Sequence, residues 1–156
     1  MQRKIVHILG TGTIGEPLIG LLCDYQKQLG IDEVTFFKNS PSKDGRSKEL
    51  DLVERGSRLC VKGGLEKKFK KLGMDPDLES LEAINRAMVV IDCTPKGVAI
   101  ENKNELYLKL QNKVKGFIAQ GSEEGFGKKY ARGINDKALL QKDKFLCQVF
   151  LQIYLL

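Results

Sequence analysis

The sequence predicts an α/β fold: a doubly wound, mostly parallel sheet with helices on both faces. Three observations predict it. Short apolar runs rich in β-branched residues alternate with segments of helical spacing along the chain, the order expected of parallel strands joined by crossover helices. The first such run ends in the glycine-rich segment Gly10-Thr-Gly-Thr-Ile-Gly15. Finally, the 156 residues are 42% apolar and 29% charged, which suits one packed domain rather than a disordered chain.

Ile5 to Leu9 reads as a buried parallel strand. Ile14, Leu18, Leu21, Leu22, Tyr25 and Leu29 then fall at helical spacing, predicting a helix that buries this face and closes at Gly30. Pro17 stands early enough in it to be tolerated. Glu33 to Lys38 is the second strand. A polar loop, Asn39 to Arg46, leads to a helix over 47–55, with Gly56 beyond it. Leu59 to Val61 is a short third strand, Leu65 to Leu72 a basic helix, and a further helix follows the Asp75-Pro76-Asp77 turn as far as Arg86. Met88 to Asp92 is the clearest later strand, stopped by Thr94-Pro95-Lys96-Gly97. A helix over 103–110, a strand over 116–120, a glycine-rich stretch over 121–127 and an apolar run over 145–156 complete the chain.

Gly10, Gly12 and Gly15 have GxGxxG spacing between a strand and a helix. The first glycine suits a tight turn, the second a close approach of backbone to a pyrophosphate, and the third close packing of helix on strand. The helix N-terminus adds free N–H groups and the positive end of a dipole. In this context the motif predicts a Rossmann-type dinucleotide site; the alternative is a strand–turn–helix corner with glycine for steric reasons alone. An NAD site places an acid at the end of the second strand, about 20 residues on, against the ribose 2′-hydroxyl. Here Asp32 and Glu33 stand at the strand's start. Lys38, Asn39 and Ser40 stand at its end, with Lys43 and Arg46 just beyond. This arrangement favours NADP, or both cofactors, over strict NAD, with a solvated basic loop as the alternative.

The net charge of +6 favours anionic partners. The four cysteines have no CxxC spacing and there is one histidine, which argues against zinc and for a reducing cytoplasm. The N-terminal segment lacks a signal peptide's apolar core, and no run reaches the ~20 apolar residues of a membrane helix.

The loop Gly10 to Gly15 resembles the opening of the archaeal-type (type II) glyceraldehyde-3-phosphate dehydrogenases. Three later segments are similar to that family in the same order. They are Lys38 to Pro41 with Glu49-Leu-Asp-Leu-Val-Glu-Arg-Gly56; Val90-Ile-Asp-Cys-Thr-Pro-Lys-Gly97; and Gln120-Gly121 with Gly133-Ile134-Asn135-Asp136. The resemblance implies a glycolytic oxidoreductase that converts an aldehyde to an acyl phosphate with NADP or NAD. It implies that Gly10, Thr13, Ile14 and Gly15 surround the pyrophosphate and that Lys38 and its neighbours meet the adenosine ribose. Thr94, Pro95 and Gly97 would line the adenosine side, and Gln120 and Gly121 would approach the nicotinamide. The family's nucleophile lies in a Ser-Cys-Asn-Thr segment, which these 156 residues do not contain. The expectation is therefore a single cofactor domain over residues 1–156, truncated or frame-altered, with no catalytic residue of its own and without the catalytic domain; the alternative is an authentic short protein with a new C-terminus. Cys147 lies in an apolar run and His7 in the first strand, and both read as structural. The apolar C-terminal run predicts a final strand and self-association. Alternatives are another two-domain dinucleotide enzyme, a non-catalytic NADP(H)-sensing protein, and a nucleic-acid-binding module using Lys67, Lys68, Lys70 and Lys71. The last lacks the expected aromatic platform, since only Phe69 is interleaved there.

Overall fold

The computed structural model describes residues 3–140 and 142–148. In it eight strands form one wholly parallel sheet: β1 (Ile5–Leu9), β2 (Glu33–Lys38), β3 (Arg58–Val61), β4 (Leu78–Glu79), β5 (Val89–Asp92), β6 (Gly116–Gln120), β7 (Lys128–Tyr130) and β8 (Phe145–Gln148). Their order is β4-β3-β2-β1-β5-β6-β8-β7. The chain first steps outward from β1 to β4, then returns to the other edge of β1 with β5. That reversal makes the gap between β1 and β5 a topological switch point, where their carboxyl ends leave a crevice. β4 and β7 escaped the sequence reading because two- and three-residue strands carry no periodicity.

Helices cover both faces. On one lie α1 (Gly15–Asp24), the short α2 (Gln26–Leu29) that continues it, α3 (Arg46–Glu54) and α4 (Glu66–Lys70). They pack Ile19, Leu52 and Phe69 over Ile8, Val34, Phe36 and Leu59. On the other lie α5 (Ser80–Arg86), α6 (Val98–Asn102) and α7 (Leu108–Leu110), the last two joined by a π-helical turn over Lys103–Tyr107. Here Ile84, Ala99, Tyr107 and Leu110 pack over Val90 and Phe117. Phe117 stacks between Tyr107 and Phe145, with ring centroids 4.8 Å away on each side. These contacts add about 0.5–1.5 kcal/mol per pair beyond area burial and fasten β8 to β6. The remainder of the predicted C-terminal strand, 149–156, lies outside the described residues, as does the self-association expected of it.

One expectation is reversed. The predicted inward face of the first helix is largely its outward one: Ile14, Leu21, Tyr25 and Leu29 are exposed, while Gly15, Ile19, Gly20 and Cys23 are buried. Gly15 is buried against the Gly10 carbonyl and Gly20 under the Arg55 guanidinium, and beside them Ile19 and Cys23 turn into the core. The leucines are left at its flank. The run also breaks at Tyr25, and Gly30 closes the second piece in the left-handed conformation, φ 62°. Phe69 points into the core, and Lys67, Lys68, Lys70 and Lys71 remain on the solvent side.

His7 is fully buried at the centre of the sheet. Its Nδ1 shares a 2.7 Å hydrogen bond with the Thr35 hydroxyl, and its Nε2 has no partner. Burial pushes its pKa down from 6.5 to about 3. Between those values the unfolded chain binds a proton that the folded chain refuses. The stabilising contribution is therefore complete above 6.5 and is lost as pH falls, by about 1.4 kcal/mol per unit. Unfolding by urea at pH 7 and pH 5 is expected to differ by about 2 kcal/mol from this group. His7→Val should remove that part of the slope; an unchanged slope would refute the assignment.

Candidate functional site

The glycine loop lies at the switch point, and its three glycines have different reasons to be glycine. Gly10 takes a φ of +91°, and a Cβ there would stand 2.8 Å from the Cys93 carbonyl oxygen. A Cβ on Gly15 would overlap the carbonyl oxygen of Gly10. Chain packing explains both. Gly12 has no such reason: a Cβ there would meet nothing within 4 Å. The space beside it is open to the close approach of a group from outside the chain, as a pyrophosphate would need. The Gly12 carbonyl accepts from the Glu16 amide at 3.0 Å and the Ile14 carbonyl from the Leu18 amide at 3.2 Å. The amides of Thr13 and Ile14 donate to no group among the described residues. They open α1, where the helix dipole favours an anion.

Beside the loop is a cavity of about 550 Å³. Six of the predicted residues meet there: Gly10, Lys38, Asn39, Ser40, Thr94 and Pro95. Thr11, Phe37, Val98 and Asn102 join them and were not predicted. Val98 and Asn102 are one turn apart on α6, a helix the sequence reading began five residues late. Lys43 and Arg46 do not line this cavity, so the expected basic cluster reduces to Lys38. Arg46 instead donates through Nε to the Leu72 carbonyl at 2.5 Å. Lys38 Nζ lies 2.6 Å from Glu49 Oε1 and 3.2 Å from Thr11 Oγ1. The end of β2 is therefore not free of acid, as the sequence suggested. Glu49 reaches it from the first turn of α3, eleven residues further along the chain.

A second cavity, of about 460 Å³, lies on the far side of the β5 end. Ile14, Pro17, Leu18 and Leu21 form one wall, and Ile91, Cys93, Ile118, Ala119, Gln120 and Gln148 much of the rest. The leucines that α1 does not bury thus serve as the wall of an apolar slot. Gln120 Nε2 donates to the Thr94 carbonyl at 2.6 Å, tying β6 to the loop after β5. Gly12, Thr13, Gly15, Gly97 and Gly121 line neither cavity. The first three belong to the loop between the cavities. Gly97 is drawn away as the left-handed N-cap of α6, its amide donating to Glu123 Oε1 at 2.8 Å. Gly121 sits in the turn after β6.

Asp92 organises the wall between the two cavities. Its Oδ1 accepts from the Thr94 amide at 3.0 Å and from the Thr94 hydroxyl. Its Oδ2 accepts from Asn102 Nδ2 at 2.9 Å and the Tyr107 hydroxyl at 2.6 Å. Burial, then the neighbouring Asp92 charge, holds the Tyr107 phenol far above its usual range, so it stays a donor.

Neither of the two thiols near the site is prepared as a nucleophile. Burial, followed by the Asp92 charge, pushes the Cys93 thiol up to about 11. The Cys147 thiol is buried, donates to the Glu123 carbonyl at 3.0 Å and is likewise shifted up by burial. Among the described residues no cluster of His, Cys, Asp or Glu could hold a metal, and no helix is long and apolar enough to cross a membrane.

No family model matches the chain. Individual proteins do. The glyceraldehyde-3-phosphate dehydrogenase of Methanobacterium formicicum is 30% identical over 143 residues, covering 90% of this chain and 39% of that protein. The enzyme of the same name from Methanopyrus kandleri is 32% identical over 129 residues, 80% of this chain and 34% of its own length. That of Pyrobaculum islandicum is 30% identical over 121 residues, 76% and 32% respectively. The chain thus spans about a third of the length of the relatives it matches. The chain is similar to an N-terminal portion of the archaeal-type glyceraldehyde-3-phosphate dehydrogenases.

Proposed function

We propose that this chain is an NAD(P)-binding domain, the cofactor half of a phosphorylating glyceraldehyde-3-phosphate dehydrogenase. The observation that carries the reading is Gly12, open to space between two cavities at the switch point of a parallel sheet. The amides of Thr13 and Ile14 would hold the pyrophosphate, with Gly10 and Gly15 shaping the turn. Lys38, Asn39 and Ser40 would hold the adenosine ribose, and Thr94 and Pro95 would cover the adenine. Ile14, Gln120 and the apolar wall of α1 would take the nicotinamide half. The bound nicotinamide supplies hydride acceptance; the protein's part is to position it and keep one of its faces dry. Gln120, held by the Thr94 carbonyl, keeps its oxygen free to accept a hydrogen bond from a carboxamide.

NADP is the preferred cofactor in this proposal, because Lys38 can meet a 2′-phosphate; NAD binds as well. These residues include no Ser-Cys-Asn-Thr segment and no activated thiol, so the chain by itself binds cofactor without oxidising the aldehyde. A cytoplasmic location and self-association through the apolar C-terminal run belong to the same proposal. Light scattering that finds only monomer would remove the second.

Parallel calorimetric titrations with NADP and NAD test the central claim. Saturable binding with a Kd below about 1 mM, corresponding to about −4 kcal/mol, is the expected outcome. Failure of both dinucleotides to bind at millimolar concentration would leave a Rossmann-type fold without its function.

A further inference from the structure

Among the described residues lining the adenosine-side cavity Lys38 is the one cation, and it is already engaged. Glu49 holds it at 2.6 Å. The Glu49 side chain is 4% exposed, its Oε1 is spent on Lys38, and its Oε2 is buried with no hydrogen-bond partner. The lysine side chain is still 21% exposed, so it faces both the carboxylate beneath it and the cavity above. Thr11, in the glycine loop itself, accepts its remaining contact at 3.2 Å.

Building on the dinucleotide reading, we infer that Glu49 is a positioning residue that limits the preference for NADP by holding and neutralising Lys38. A 2′-phosphate entering this cavity finds an ion pair, not a free ammonium. To bind it, Lys38 must share or give up its carboxylate. A buried carboxylate that loses its only cation is left without compensation. NAD asks for no such exchange, because its 2′-hydroxyl is neutral. The pair therefore brings the two affinities together, and the chain accepts both cofactors where an unpaired lysine would select one. Glu49 carries a negative charge to the end of β2 by a route other than the usual acid on the strand itself.

The test uses the whole chain and four probes: NADP, NAD, 2′,5′-ADP and 5′-AMP. Glu49→Gln keeps the shape and an oxygen for Lys38 while removing the charge. It is expected to raise the ratio of NADP to NAD affinity about tenfold, with the same rise for 2′,5′-ADP over 5′-AMP. Glu49→Asp keeps the charge but withdraws it by one methylene, and should give a smaller rise in the same direction. Circular dichroism establishes that each variant is folded. A structural role for Glu49 would instead weaken all four probes together and leave the ratios unchanged, which would overturn the inference. If only Glu49→Asp folds, its ratio decides. Wild-type protein that binds none of the probes would defeat the dinucleotide reading itself. Wild-type binding with unmoved ratios would defeat only the role of Glu49.

Discussion

Gly15→Ala is expected to cost this protein about 3 kcal/mol of stability and most of its dinucleotide binding. Gly12→Ala should cost binding alone. The two residues are three apart in one loop, yet their surroundings are opposite. A methyl group on Gly15 overlaps the Gly10 carbonyl oxygen, a backbone atom that cannot turn aside as a side chain can. Relief requires α1 to move off β1, and α1 carries Ile19 and Cys23 into the core. A methyl on Gly12 meets no atom within 4 Å and needs no unusual φ. Replacing glycine by alanine there leaves the folded chain as it is, or slightly stabilises it by narrowing the unfolded ensemble. Its effect arises only when a ligand comes as close as the backbone now permits. Urea unfolding and calorimetry on both variants separate the two effects. Full NADP binding by folded Gly12→Ala would contradict the assignment of the loop to the pyrophosphate.

What the sequence revealed, and what it hid, follows from the range of the interactions involved. β2 and β6 have the bounds their apolar runs predict, and the glycine loop declares itself because its three positions and flanking elements are local. The face of α1 was misread for a physical reason. Hydrophobic spacing finds the stripe with the most leucine, but the inward stripe here is set by Ile19 and Cys23 with Gly15 and Gly20, glycines covered by the Gly10 carbonyl and the Arg55 side chain. Here the leucine-rich flank belongs to a cavity. Lys38, Asn39 and Ser40 could be placed at one edge because Lys38 ends a strand and the other two follow it directly. Glu49 could not, because nothing in a helical Lys-Glu-Leu-Asp run shows which carboxylate turns inward. Asn102 was hidden by the late start assigned to its helix, and Tyr107, inside the helix expected over 103–110, gave no sign of the partner its hydroxyl meets. Their shared partner, Asp92, was read only as the end of a strand and part of a resemblance. Its four donors come from a turn, a helix and a π-helical turn, and only the folded chain gathers them.

That convergence underlies the second large effect. Asp92→Asn should lower stability by about 2–3 kcal/mol, a melting temperature lower by about 4–12 °C for a chain of this size. A carboxylate offers acceptors on both sides, and both are used. Each oxygen of Asp92 receives one nitrogen donor and one hydroxyl donor: the Thr94 amide with its hydroxyl on Oδ1, and Asn102 Nδ2 with the Tyr107 hydroxyl on Oδ2. Hydroxyls can turn and accept, but nitrogen donors cannot. Whichever way an asparagine amide is placed, its NH2 faces one of those nitrogens. One buried N–H is then opposed by another donor. Thr94→Val, which removes a single hydroxyl bond, should cost about 1 kcal/mol and serves as the scale. The fault also reaches the site. Thr94 and Pro95 line one cavity, and Gln120 of the other is tied to the Thr94 carbonyl at 2.6 Å. Loosening Asp92 should therefore weaken NADP and NAD alike, without the change of ratio expected of Glu49→Gln. Melting within about 1 °C of wild type would show that the buried cluster does not bind the β5 end in place.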